Sequence, residues 1–161
     1  LAPSDFDPAA KTTFDLKQDN PVVSGTIEYW FATQNVEPVQ RAYQAFQKKE
    51  PTQIAAELAL GLKSGAGYTL GIYSPDGGHA VTPIAVTNEG DLIAIHVYDN
   101  NYPGTVQRIM IDPRSERWSY GAGSTNPQAP TNGWEGGIGT IELTPMASRL
   151  QTPFPAPFTD K

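Results

Sequence analysis

At Tyr68 the hydrophobic period of the chain changes, and no other feature of the sequence constrains the fold as tightly. Before it, apolar residues recur at helical spacing. After it, they come in short β-rich runs parted by Gly, Pro and Asn clusters. Helices in the first half and strands in the second imply an α+β fold with an antiparallel sheet. The 161 residues suit a single domain spanning 1–161. At 39% hydrophobic and 10% aromatic, they can fill one core.

Three helices are expected between 24 and 64. Ser24 is suited to the first N-cap, and Ile27, Trp30 and Phe31 fall on one face at i, i+3 and i+4. Pro38 fits the first turn of the second helix. Val39, Ala42, Tyr43 and Phe46 form its stripe, with Lys48 and Lys49 at the negative end of its dipole. The third follows Pro51 and buries Ile54, Ala55, Leu58 and Leu62 before stopping at 64–67. Strands are expected at 68–73, 79–87, 91–99, 106–112, 117–120 and 140–143. Residues 1–17 read as an extended arm, 121–139 as a long surface loop rimming a cleft, and 145–161 as a proline-punctuated tail.

Charge and composition narrow the function. Eleven Lys and Arg against 17 Asp and Glu give a net charge of −6, which repels a nucleic-acid backbone. No apolar run approaches the ~18 residues of a membrane span, so no membrane partner is expected. Cysteine is absent, so there is no disulfide, no thiolate metal site and no thiol nucleophile. The start at Leu1, with 15 Gly and 15 Pro, reads as an exported, extracellular protein, and a monomer without cofactor is expected.

The stretch 78–104 carries the most chemistry. Asn88-Glu89-Gly90 is suited to a three-residue hairpin loop in which Gly90 takes the left-handed conformation. Pairing then centres on Glu89, so that Thr87 faces Asp91, Pro83 faces Ile95 and His79 faces Asp99. Pro83 cannot donate to the ladder and is where a bulge would shift the register by one. A carboxylate beside the imidazole Nδ1 would fix the tautomer and support acid–base work, whereas a structural ion pair has the same sequence.

His79-Ala80-Val81 opening one strand, and a hydrophobic strand ending in Tyr98-Asp99-Asn100-Asn101, resemble the histidine and Asn/Asp segments of papain-like cysteine peptidases. The resemblance runs over about 18–120 and is closest to bacterial secreted members. It implies a papain-like fold, a helical half packed on a β half, with an extended peptide or protein segment bound in the cleft between them. It also implies a nucleophile at the start of the central helix and a glutamine six positions earlier. Ser24 and Gln18 stand at that interval. Serine where the family has cysteine implies a degenerate or disabled hydrolase. If it reacts, Ser24 would attack, His79 would shuttle the proton, Asp99 would orient the ring, and Gln18 with the Ser24 N–H would hold the oxyanion. The milder readings are an N-cap serine, a surface glutamine, and a non-catalytic recognition or structural module in which the His79–Asp99 pair is a strut.

Other signals lead elsewhere. His79 and His96 lie on opposite faces of the hairpin, against a zinc site, and no metal is expected. Pro103-Gly104 suits a type II turn better than a calcium loop. Trp118, Tyr120 and Trp134 are candidates for a ligand-contacting surface.

Overall fold

The computed structural model describes residues 2–75, 77–122 and 133–151. Those residues form an α+β fold. Helices α1 (Pro21–Ala32), α2 (Glu37–Gln47) and α3 (Pro51–Lys63) precede strands β1 (Tyr68–Ser74), β2 (Gly77–Glu89), β3 (Leu92–Tyr98), β4 (Val106–Asp112), β5 (Arg117–Tyr120), β6 (Trp134–Gly136) and β7 (Ile141–Pro145). A short α4 (Met146–Arg149) follows. The seven strands make one antiparallel sheet in the order β6-β5-β4-β3-β2-β1-β7. The sheet curls until β6 approaches β1. No described helix is long and apolar enough to cross a membrane.

Strand alternation builds the core. Leu70 and Ile72 of β1, Val81 of β2, Ile95 and Val97 of β3, and Ile109 and Ile111 of β4 share the concave face. Helix α3 fills that face with Ile54, Ala55 and Leu58, each of which removes apolar surface from water. The Glu116 carboxylate, from the β4–β5 turn, accepts Thr52 N at 3.0 Å and Thr52 Oγ1 at 2.7 Å, placing negative charge at the helix start. Strand β7 is buried on both faces: Ile141 and Leu143 join the core cluster, and Glu142 and Thr144 face helix α2.

Several expectations need correction. Helix α1 starts at Pro21, whose missing N–H is harmless there. Its N-cap is Asn20, whose Oδ1 accepts Val22 N at 2.9 Å, so Ser24 is the fourth helical residue and no cap. The buried face also differs from the expected one: Ile27 and Phe31 are 52% and 66% exposed, and Val23 is the buried residue. The N-terminal segment makes two 3-10 turns, Pro3–Asp5 and Thr13–Asp15, rather than an extended arm. Strand β6 occupies part of the expected 121–139 loop, and α4 forms at the start of the expected tail. Residues 123–132 of that loop and 152–161 of that tail lie outside the described residues.

Candidate functional site: a histidine held by a buried carboxylate

The β2–β3 hairpin closes through Gly90-Asp91 between Glu89 and Leu92, a two-residue loop in place of the expected three. Gly90 has φ +65°, the positive value that glycine supplies at the first central position of a II′ turn. The shorter loop moves the register at the tip by three residues, so Thr87 pairs with Ala94 instead of Asp91. A bulge between Pro83 and Ala85 takes one residue back, and Pro83 pairs with Val97 instead of Ile95. The net displacement of two preserves side-chain parity. His79 and Asp99 therefore share a face as diagonal neighbours instead of standing directly opposite.

His79 itself pairs with Ile72 of β1, on the core side of the sheet. Asp99 follows the last residue of β3 and is 0% exposed. His79 Nε2 lies 2.8 Å from Asp99 Oδ2. The Tyr120 hydroxyl donates to the same oxygen, and Asn101 N donates to Oδ1 at 2.8 Å. The contact thus uses Nε2, where the sequence suggests Nδ1, because the diagonal offset requires the far end of the ring to reach. With Asp99 ionised, Nε2 must carry the proton, and Nδ1 is left as the basic nitrogen with no hydrogen-bond partner among the described residues.

Burial works to raise the Asp99 carboxyl, but the hydrogen bonds from His79, Tyr120 and the Asn101 N–H outweigh it and hold it below its ordinary value. Burial, then the adjoining carboxylate, push Tyr120 far above the phenol range, so it remains a neutral donor. The His79 ring sits 6.4 Å from the Tyr120 ring and 6.3 Å, edge on, from Trp134. Trp118, Tyr120 and Trp134 are all buried and offer no free surface; Tyr120 and Trp134 flank the His79 ring, whereas Trp118 donates its indole N–H to Thr140 Oγ1 at 3.0 Å. Tyr120 is the site residue that the sequence reading assigns otherwise. It sits on the rung of Ile109, itself opposite Ile95, and reaches along the concave face to Asp99.

Ser24 and Gln18 take no part in the hydrogen bonds of the pair. Ser24 N donates to Asn20 O at 2.9 Å, and Ser24 Oγ donates to Pro21 O at 3.4 Å, both inside the first turns of α1. The Ser24 N–H is therefore already engaged, and the expected oxyanion donor at this position is absent. Gln18 lines a groove of about 380 Å³ with Phe14, Leu16, Val23, Ile27 and Asn100. Since Val23 precedes Ser24 and Asn100 follows Asp99, that groove adjoins both segments.

Neighbouring features are structural. Tyr102-Pro103-Gly104-Thr105 is a type II turn, with Gly104 at φ +81° and Thr105 N bonded to Tyr102 O at 3.3 Å. His96 projects to the opposite face from His79 and lies 2.8 Å from Thr87 Oγ1. Among the described residues no group of three or more His, Asp or Glu is arranged to hold a metal ion.

No protein-family model matches the chain, and no curated protein or solved structure matches it either.

Proposed function

We propose that this chain is a hydrolase-type protein with a papain-like arrangement, which keeps the acid–base pair of a peptidase, has lost efficient nucleophilic attack, and binds an extended peptide segment. The single observation that carries the reading is the polarity of His79. Its Nε2–H is tied to a buried carboxylate that is itself held by Tyr120 and by Asn101 N, which leaves Nδ1 as an oriented base. A histidine needed only for packing does not require its carboxylate partner to be fixed from three directions.

The groove beside Asn100 is the peptide site in this reading. Phe14, Leu16, Val23 and Ile27 supply apolar contacts, and Gln18 and Asn100 supply amides for a peptide backbone. Loss of efficient attack follows from chemistry as well as position. A serine hydroxyl must be deprotonated during attack, and here both the hydroxyl and the N–H of Ser24 are satisfied by the helix.

A second reading has its own support: a wholly buried Asp99 with both oxygens satisfied also describes a strut that pins β2 to β3 and β5. Ser24→Cys separates the two. In the hydrolase reading iodoacetamide alkylates the new thiol at neutral pH faster than it alkylates the same thiol in the Ser24→Cys, His79→Ala double variant. Equal rates in the two proteins overturn that reading and leave the strut.

A further inference from the structure

Two buried groups of opposite charge line a second cavity without pairing with each other. Glu142 of β7 is 6% exposed and Arg149 of α4 is 9% exposed. Both border a space of about 240 Å³ together with Gln34, Thr69 and Thr144. Its floor is one rung of the sheet, since Gly71 pairs with Ala80 on one side and with Glu142 on the other. Ala80 and Glu142 alternate with His79 and Ile141 along their strands, so their side chains leave the sheet on the face opposite that of the His79 side chain, while His79 itself still borders the cavity.

Each group is held firmly at one end and unsatisfied at the other. Glu142 Oε1 accepts the Tyr73 hydroxyl at 2.7 Å, while Oε2 is buried without a partner. Arg149 Nη1 donates to Trp30 O at 3.0 Å and to Thr33 Oγ1 at 3.3 Å, while Nε is buried without a partner. Glycine at 71 makes room for the carboxylate, because a Cβ there would come within 3.2 Å of Glu142 Oε1 and of the Tyr73 hydroxyl. Buried charges are normally paired, and buried polar atoms are normally bonded. An acid and a base that share a small cavity, are fixed by neutral neighbours and remain unjoined point to a third body between them.

We propose that this cavity binds a small zwitterion of the amino-acid class, its ammonium donating to Glu142 Oε2 and its carboxylate accepting from Arg149 Nε. A simple anion would satisfy Arg149 and leave Glu142 bare, and a simple cation would do the reverse. A zwitterion satisfies both and adds no net charge to the interior. The volume is below the ~300–1,000 Å³ of sites for drug-sized ligands, which limits the occupant to a small molecule. Burial keeps the Glu142 carboxyl above its ordinary value and outweighs the lowering influence of the neighbouring Tyr73 and Gln47 side chains. The cavity borders His79, but its two charged groups, Glu142 and Arg149, take no part in the hydrolase reading.

The test is a titration of the whole chain with glycine, L-alanine and L-serine, followed by amide NMR and calorimetry, with acetate and methylammonium as half-ligands. At least one amino acid should give saturable shifts centred on Gly71, Ala80 and Thr144, and each half-ligand should bind about tenfold more weakly or worse. Glu142→Gln and Arg149→Lys should each weaken amino-acid binding by about tenfold or more. The proposal is overturned if no amino acid saturates by about 20 mM, if acetate binds as tightly, if the shifts centre elsewhere, or if folded variants bind unchanged. Should a variant fail to fold, the wild-type shift map and the half-ligand comparison still decide.

Discussion

Oδ2 of Asp99 accepts both from Nε2 of His79, at 2.8 Å, and from the hydroxyl of Tyr120, while Oδ1 accepts the N–H of Asn101. One carboxylate with no exposure thus organises the ends of three strands: β2 through His79, β3 through its own chain, and β5 through Tyr120. Chemical and mechanical consequences follow from the same bonds, and they can be separated by substitution.

Tyr120→Phe removes one donor from a buried anion and keeps the ring in the core. Hydrogen bonds to charged groups contribute about 1.5–3 kcal/mol, so a urea midpoint measured against wild type should fall by a corresponding amount. Asp99→Ala strands the Tyr120 hydroxyl and the imidazole together, and should cost about 3–5 kcal/mol. A loss well under 1 kcal/mol for both variants would mean that the carboxylate does not organise the strand ends.

The two buried carboxyls should impose opposite pH slopes. The Asp99 carboxyl is lowered by folding, so its contribution is present above the unfolded carboxylate value of about 3.9 and is lost as pH falls through the lower folded value. The Glu142 carboxyl is raised, so its contribution is full below the unfolded value of about 4.3 and is lost as pH rises through the higher folded value. Stability curves of Asp99→Asn and Glu142→Gln, each subtracted from wild type, should therefore slope in opposite senses on the two sides of about pH 4. Parallel difference curves would contradict the environments described.

The two-residue loop through Gly90 and the bulge at Ile84 together set the register that brings His79 and Asp99 to one face. At φ +65° a Cβ is disfavoured by about 1–2 kcal/mol, so Gly90→Ala should lower stability by that amount, measured by thermal or urea unfolding. Deleting Ile84, the residue passed over between Pro83 and Ala85, removes the bulge and reverses side-chain parity on one side of it. That deletion should break the His79–Asp99 contact or unfold the hairpin, seen as loss of the native His79 imidazole signals. Retention of those signals would show that another register is available.

How legible this was varies by element. Strands β4 and β5 fall where alternation puts them, at Val106–Asp112 and Arg117–Tyr120, because their turns are short and their inward residues regular. The faces of α2 and α3 follow their stripes for the same reason. Helix α1 misleads because Ile27, Trp30 and Phe31 are spaced like a buried stripe, yet the helix packs on the face that carries Val23 and leaves Ile27 and Phe31 outward. The hairpin register is ambiguous locally, since a two-residue and a three-residue loop both use a left-handed Gly90. After Ile84 the inward residue of β2 is Val86, opposite Ile95, where unbroken alternation puts Ala85 inward. The meeting of His79 and Asp99 is legible because displacements of three and minus one leave an even offset. Tyr120 depends on the curl of the sheet across β4, which no local pattern encodes.

The nitrogen that carries the proton on His79 can be read from long-range ¹H–¹⁵N correlation spectra of the imidazole near neutral pH. The Nε2–H tautomer should dominate, with Nδ1 at the shift of an unprotonated ring nitrogen, and Asp99→Asn should weaken that preference. A neutral ring protonated at Nδ1, or one whose tautomers average alike in wild type and Asp99→Asn, would contradict the assignment of Nδ1 as the oriented base.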